Sequence, residues 1–389
     1  MSNRRSRSRR REKILGLDNK TFYISFIVLI FIILICVGVI VYKDFYEQQK
    51  VAAEKERINS EVEDIFKSAD EEFSSLNDYK ANTLFRFSAV GDILCGNNLQ
   101  KYTRDYNEIF TNVKKYVSDS DYVLGTYETN VQDESFLKSI KNAGINVVSL
   151  AHNHALDNGK DGLAKINESL EKVGLKTVGI SSDNVEDRVK IFEKGEAKVA
   201  IIAYTYDNKK DGVNIYSEEL AKQDLEYAKK NANATIVMMH WGNVNTNEIS
   251  KEQEQQAEFL INNGADVIIG AHPSAVQKME VKQNSNGKDC FVAYSIGDFT
   301  SDFESENANL ELILNFQIYV DKDGNTTLYK VDYTPVYMID WGVKAENRYQ
   351  ILDLKKEIAN YQTEESNIDK RTYEKLVRGI ERLKNIIKK

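Results

Sequence analysis

The sequence predicts an α/β fold with more than one β-sheet, preceded by a membrane-spanning helix. From Leu84 onward, short apolar β-like runs alternate with polar helical segments, the pattern of strands joined by crossover helices. A hairpin-like pair of β runs after residue 310 suggests a second sheet rather than a single parallel one. Ahead of all these elements lies Thr21–Tyr42, a long uncharged segment rich in Ile, Val, Leu and Phe.

The N-terminal segment is predicted to be a signal anchor. Thr21–Tyr42 has 22 residues, and a helix of that length spans about 33 Å, enough for a hydrocarbon core of ~30 Å. Residues 1–20 form a basic head with eight Lys and Arg against two acidic residues. This imbalance predicts a cytoplasmic N-terminus and an extracellular domain. A cleaved signal peptide fits less well, because its apolar core is shorter and ends at an Ala-x-Ala-like site, which the residues around Tyr42 lack.

Residues 43–83 are predicted to form a helical stalk. Positions 44–82 contain no Pro or Gly, and apolar residues recur there at helical spacing. These residues are Ile58, Val62, Ile65, Ala69, Phe73 and Leu76. The stripe is consistent both with a stalk-mediated dimer and with a solvated linker helix.

Charge and cysteine content exclude several classes of function. The whole chain carries −8 and residues 1–20 carry +6, so the predicted exported part carries −14. Such an acidic part argues against nucleic acid or anionic lipid as its partner. Cys36 lies in the apolar span, and Cys95 and Cys290 could form one disulfide or remain buried thiols. Two cysteines do not make a disulfide framework.

Residues 84–342 are predicted to form the domain, and residues 343–389 a charged helical tail. The predicted strands are Leu84–Val90, Tyr122–Thr126, Ile145–Leu150, Lys176–Val178, Ala197–Tyr204, Ala234–Met239, Ala265–Ile269 and Cys290–Ser295. The predicted helices are Glu108–Val117, Glu134–Asn142, Gly159–Val173, Ser217–Asn231 and Lys251–Asn263. The late hairpin joins Glu311–Tyr319 to Thr326–Tyr333 through a turn at residues 321–324.

All four histidines of the chain follow predicted strands. His152 and His154 come after Ile145–Leu150, while His240 and His272 come after two later apolar runs. Imidazole is the commonest protein ligand of transition metals, and α/β folds place their sites in loops at strand ends. The distribution therefore predicts that the histidines share a metal site.

Carboxylates and an amide occupy similar positions. Asp92, Glu128 and Asn153 also lie in strand-end loops, so the fold should bring them to the same edge as the histidines. Carboxylate and imidazole together hold the cation in metal-dependent hydrolysis, and a further histidine can protonate the leaving group.

The ordered set of loops resembles a known family. The matching motifs are Gly91-Asp92, Glu128, residues 153–157, His240-Trp241-Gly242, His272-Pro273 with Gln277, and residues 294–299. In this order they resemble the CapA-type (PgsA-type) poly-γ-glutamate capsule-biosynthesis family, whose domain is similar to calcineurin-like metallophosphatases. The resemblance implies a two-sheet α/β/β/α metallophosphatase-like sandwich. It also implies membrane anchoring and a role in making or attaching the capsule at the cell surface.

The resemblance also implies roles for individual residues. The implied ligands of a divalent metal are Asp92, Glu128, Asn153, His240 and His272, and His154 is the implied general acid. This chain departs from the family pattern at Thr126, His152, Ala271, Ser274 and Asp298.

Two departures bear on how many metals bind. Metallophosphatases bind one of their two metals with imidazoles at the positions of Leu94 and Ser274, and neither residue can replace an imidazole. We therefore expect one tightly held metal and weak phosphoesterase activity at best.

Three functions are consistent with the sequence. The favoured one is a single-pass, membrane-anchored capsule-biosynthesis protein, with capsule synthase subunits and anionic polymer as partners. The second is a surface metal-dependent phosphoesterase or hydrolase unrelated to capsule. The third is a non-catalytic scaffold that binds polymer. Whether the domain is an enzyme is left open by the sequence.

Overall fold

The computed structural model describes residues 19–74, 83–206, 212–303, 307–363, 365–366 and 368–387. Most of the predicted basic head, residues 1–18, lies outside this described part of the chain. The chain divides into two units, one ending at Glu61 and the other beginning at Val62.

The described part of the N-terminal unit belongs to helix α1 (Asn19–Ser74), which is 56 residues long and continues beyond Glu61. It contains the 22-residue segment Phe22–Lys43, which is long and apolar enough to cross a membrane. Helix α1 continues past the predicted end of the span at Tyr42 as far as Ser74, so the predicted span and the first part of the predicted stalk lie on one helix. The apolar stripe predicted for the stalk involves side chains outside those that the structure describes.

The second unit alternates strands and helices. Its strands are β1 (Thr83–Ile93), β2 (Tyr122–Thr126), β3 (Val147–Ser149), β4 (Lys176–Val178), β5 (Lys190–Lys194), β6 (Ala197–Thr205), β7 (Ala234–His240), β8 (Val267–Ala271), β9 (Met279–Gln283), β10 (Asp289–Ala293), β11 (Asp298–Thr300), β12 (Leu310–Val320), β13 (Thr326–Asp340) and β14 (Tyr349–Asp353). Its helices are α2 (Asn97–Tyr102), α3 (Asn107–Phe110), α4 (Glu134–Ala143), α5 (Gly159–Lys172), α6 (Val185–Arg188), α7 (Glu218–Asn231), α8 (Lys251–Asn263), α9 (Leu354–Gln362) and α10 (Lys370–Ile387).

The strands form two sheets. The eight-stranded sheet has the order β14-β13-β12-β1-β2-β3-β4, and β11 pairs with β1 where β12 no longer does. The six-stranded sheet has the order β5-β6-β7-β8-β10-β9. Strands β1 to β4 run parallel in the first sheet, and β6, β7, β8 and β10 run parallel in the second.

Helices cover the outer face of each sheet. Buried residues of α3, α4 and α5 pack on the first sheet, and those of α7 and α8 pack on the second. The two sheets contact each other: the rings of Tyr122 on β2 and Phe192 on β5 lie 4.9 Å apart, and the Lys194 ammonium donates to the Leu84 carbonyl at 2.8 Å. The predicted α/β/β/α sandwich is therefore confirmed.

Local signals set the ends of the helices. In α4, the Asp133 side chain accepts from two backbone N–H groups at the start, and Gly144 ends the helix with a φ of 109°. Helix α8 begins with a capping box between Ser250 and Gln253.

The predicted helix Glu108–Val117 was wrong in its extent. It is divided into α3 and a 3₁₀ turn at Lys114–Tyr116, because bonds to the third residue back wind this segment more tightly.

The segment predicted as a tail contributes to the domain's first sheet. Strand β14 pairs antiparallel with β13, and α9 and α10 follow it. The apolar side of α10 is buried through Leu376, Ile380, Leu383 and Ile386. Besides its charged residues, this segment therefore has an apolar face that packs against the domain.

Candidate metal centre

Parallel strands from both sheets end at one edge, and most of the predicted site residues lie there. Asp92 is the penultimate residue of β1, and Glu128 and His152 follow β2 and β3 within three residues. His240 is the last residue of β7, and His272 comes directly after β8. This is the edge at which α/β folds place ligands.

His240 lies at the centre of the cluster. The side chain is only 1% exposed, and its Nε2 lies 3.4 Å from Asp92 Oδ1 and 3.5 Å from Glu128 Oε2. Burial favours the neutral ring, but the charges of Asp92 and Glu128 outweigh burial and raise the pKa of His240 to about 10. Burial and the charge of Asp92 in turn raise the pKa of Glu128, against the lowering effect of His240.

His272 completes a triangle with Glu128 and His240. Its ring centroid is 4.7 Å from that of His240, and its backbone N–H donates to Asp92 Oδ2 at 2.7 Å. The Tyr206 hydroxyl lies 2.7 Å from His272 Nε2. Burial, followed by the charge of His240, lowers the pKa of His272 to about 3. The φ of 94° at His272 is strained for a residue with a side chain, a feature that clusters at functional sites.

The donor atoms fit a divalent cation. One ligand atom each from Glu128, His240 and His272 lie within 4.8 Å of one another. Several buried polar atoms beside them have no hydrogen-bond partner, and these include Asp92 Oδ1, both ring nitrogens of His240 and His152 Nδ1. Buried polar atoms are normally paired, so their convergence points to a ligand. Imidazole with carboxylate is a donor set for a divalent transition metal.

Asn153 and His154 follow His152 in the loop after β3. Asn153 is half-buried, and its side-chain oxygen is unpaired. The His154 side chain is 55% exposed, and its Nδ1 lies 2.9 Å from Asp157 Oδ2. The charge of His154 contributes to lowering the pKa of both Glu128 and His272. His154 is therefore near the group of Glu128, His240 and His272 but is not a member of it.

His152, which the sequence did not assign as a ligand, turns towards the cluster. Its side chain is buried, and its ring centroid lies 6.1 Å from that of His240. Burial lowers the pKa of His152 well below its usual value, with smaller effects from His240 and His154. The ring is therefore neutral at physiological pH and can act as a ligand or as a neutral wall of the site.

Sequence reasoning did not assign two carboxylates that the structure brings close. Asp298 on β11 pairs in register with Asp92 on β1, and Glu311 on β12 accepts from the Gly91 N–H at 3.0 Å. Burial, and then the charge of Asp92, raise the pKa of Asp298 well above its usual value. The available signals were the departure from the family motif at Asp298 and a charged residue, Glu311, inside an apolar run.

Other motif residues support the loops. The Trp241 indole donates to the Tyr294 carbonyl at 2.7 Å. Gln277 accepts from Gln253 at 2.8 Å and donates to two carbonyls of the loop after β7. A Cβ on Gly91 would lie 1.7 Å from the Gly297 carbonyl oxygen, so only glycine allows β1 to approach so closely.

The sequence of this domain matches a known protein family. Residues 86–303 match the model of a family described as bacterial capsule synthesis protein PGA_cap. The match covers more than half of the chain, which therefore belongs to this capsule-synthesis family.

Two curated relatives carry related names. The chain is 27% identical over 260 residues to the capsule biosynthesis protein CapA of Bacillus anthracis, covering 58% of this chain and 61% of the relative. It is 28% identical over 243 residues to the PGA biosynthesis protein CapA of Bacillus subtilis strain 168, covering 55% and 63%. The alignment thus spans less than two thirds of the length of either relative.

Solved structures give a weaker likeness. A hypothetical protein from Thermus thermophilus has a TM-score of 0.45 at 14% identity, covering 64% of this chain and 98% of its own. A phosphatase from Mycoplasma pneumoniae has a TM-score of 0.41 at 14% identity, covering 66% and 94%.

Proposed function

We propose that this chain is a membrane-anchored protein of poly-γ-glutamate capsule biosynthesis or attachment, whose extracellular domain binds a divalent metal. Membership of the capsule-synthesis family supports the capsule role. The observation that carries the metal-dependent part is the convergence of Glu128, His240 and His272.

One tightly held metal is the proposed occupant. Its proposed ligands are Asp92, Glu128, Asn153, His240 and His272. When bound, a divalent metal polarises a phosphoryl or carbonyl oxygen and so favours attack on that group. The Asp92 carboxylate also accepts from the His272 backbone N–H, which fixes the loop that carries the imidazole.

His154 is the proposed general acid. Its exposure places it where a polymeric or phosphorylated substrate can approach, and Asp157 orients the ring through Nδ1. The other ring nitrogen is then available to give a proton to the leaving group. The buried His152, His240 and His272 cannot serve in this way, because they are enclosed with the ligand group.

The anchor gives the proposed location. The apolar segment Phe22–Lys43 can cross a bilayer, and the basic residues before it favour a cytoplasmic N-terminus. The proposed partners are capsule synthase subunits in the same membrane and the anionic polymer outside it.

Complementation in the native bacterium tests the proposal. The gene is deleted, cell-surface poly-γ-glutamate is measured, and the strain is complemented with the wild-type chain, with His240→Ala or with His154→Ala. We expect only the wild-type chain to restore the polymer fully, with both variants present at normal levels in the membrane. Unchanged polymer after deletion would favour a hydrolase unrelated to capsule. Full restoration by both variants would favour a non-catalytic scaffold.

A further inference from the structure

Asp298 places a second carboxylate beside Asp92. The two residues are direct partners in the parallel pairing of β11 with β1. Parallel neighbours lie about 4.8 Å apart, and residues in register project to the same face of the sheet. Two like charges in this position repel each other unless something between them compensates.

Within the described part of the chain, the His240 ring is the positively charged group that partly offsets this charge. Asp298 is 1% exposed, and neither of its carboxylate oxygens has a hydrogen bond of normal geometry. Glu311 Oε2 and Asp92 Oδ1 are also unpaired and buried. No described lysine or arginine contributes to the electrostatics of Asp298 or Glu311. Buried carboxylate oxygens that accept no hydrogen bond are available as donors to a cation.

The charge balance indicates how many cations the cluster can accept when all its carboxylates are ionised. Asp92, Glu128, Asp298 and Glu311 bring four negative charges to one edge when ionised. A single divalent metal at the His240 position neutralises two of these charges. A second divalent cation would neutralise the rest.

The position of Asp298 indicates where the second cation would lie. The Ser274 hydroxyl is close enough to Asp298 to favour its charged form, without a hydrogen bond of normal geometry. Ser274 occupies one of the two places where an imidazole of the metallophosphatase pattern is missing from this chain. Asp298 therefore brings oxygen donors to the part of the site that lacks nitrogen donors.

We propose that Asp298, together with Asp92 and Glu311, forms a second, oxygen-only cation position beside the imidazole position. Carboxylate oxygens with water suit hard cations such as Mg²⁺ or Mn²⁺. This position binds more weakly than the imidazole position and is filled only at higher cation concentration. The proposal rests on the proposed metal centre, because Asp92 belongs to both positions.

Manganese titration of the full-length chain in detergent tests the proposal. Mn²⁺ alone is the probe, bound metal per chain is measured by equilibrium dialysis, and electron paramagnetic resonance reports whether two ions are coupled. We expect the wild-type chain to bind one tight and one weaker equivalent, with a coupled signal because two-metal sites hold their ions ~3.5–4 Å apart. Asp298→Asn, nearly the same in shape, should bind one equivalent with an uncoupled signal.

Control variants separate the outcomes. Asp323→Asn removes an exposed carboxylate of the β12–β13 turn and should bind as the wild-type chain does. Glu311→Gln should keep the tight equivalent and weaken the second at least tenfold, which provides a second test if Asp298→Asn fails to fold by circular dichroism. Two equivalents in both Asp298→Asn and Glu311→Gln would overturn the proposal, as would a single equivalent in the wild-type chain. No binding at all by the wild-type chain would instead reject the metal centre itself.

Discussion

Raising the pH should destabilise the metal-free chain through His240. The pKa of this buried ring is raised from 6.5 to about 10 in the folded protein by Asp92 and Glu128, against the effect of burial. Between these values the folded state holds one more proton than the unfolded state, so the free energy of unfolding falls as the pH rises. The stabilisation is complete below pH 6.5 and is lost as the pH approaches 10. From pH 6.5 to 9 the loss amounts to roughly 3 kcal/mol, at about 1.4 kcal/mol per unit.

The assay is urea unfolding of the full chain in detergent with a chelator, followed by tryptophan fluorescence. Trp241, buried next to His240 in the sequence, contributes to this signal. His240→Gln removes the titrating group, so the difference between wild type and variant isolates its share from other groups that titrate at high pH. We expect that difference to shrink by roughly 3 kcal/mol between pH 6.5 and 9. Parallel pH profiles for the two proteins would refute the reasoning.

Three further outcomes are expected. Gly91→Ala should destabilise the domain by about 2–4 kcal/mol, because the added Cβ would collide with the Gly297 carbonyl oxygen and push β1 away from the residues that precede β11. An unchanged melting temperature would contradict this. His154→Ala should keep the bound metal and lower the hydrolysis of an alkyl phosphodiester by about 100-fold or more, because an alkoxide leaving group needs the proton; an unchanged rate would exclude His154 as the acid. Protease added to intact protoplasts should digest the domain and spare a tag on residue 1, whereas a protected domain would reverse the proposed topology.

The sequence predicted the elements whose signal is local. Tyr122–Thr126, Lys176–Val178 and Lys251–Asn263 have the predicted bounds, because apolar runs and capping residues mark them without help from distant contacts. The strands β5, β9, β11 and β14 were not predicted. Residues Asp298–Thr300 are a strand only because they pair with β1, some 200 residues earlier in the chain. This pairing depends on a distant contact, which no pattern within the segment indicates.

The candidate site shows the same difference between local signals, which the sequence carries, and distant contacts, which it does not. The clustering of His240 and His272 could be predicted, because each follows an apolar strand and parallel strands end at one edge. The inward turn of His152 could not, because the three residues that follow Ser149 set its direction. Glu311 was missed because a single charged residue in an apolar strand gives no indication of which side chains it will meet.

Metal content of the purified full-length chain tests the proposed centre most directly. The protein is passed over a desalting column without chelator and examined by elemental analysis, beside His240→Ala and His272→Ala. We expect about one divalent metal per wild-type chain, a value set by the single imidazole position, and a large loss in both variants. A wild-type chain without metal after loading with divalent cations, or variants that retain as much metal as the wild type, would contradict the proposed metal centre.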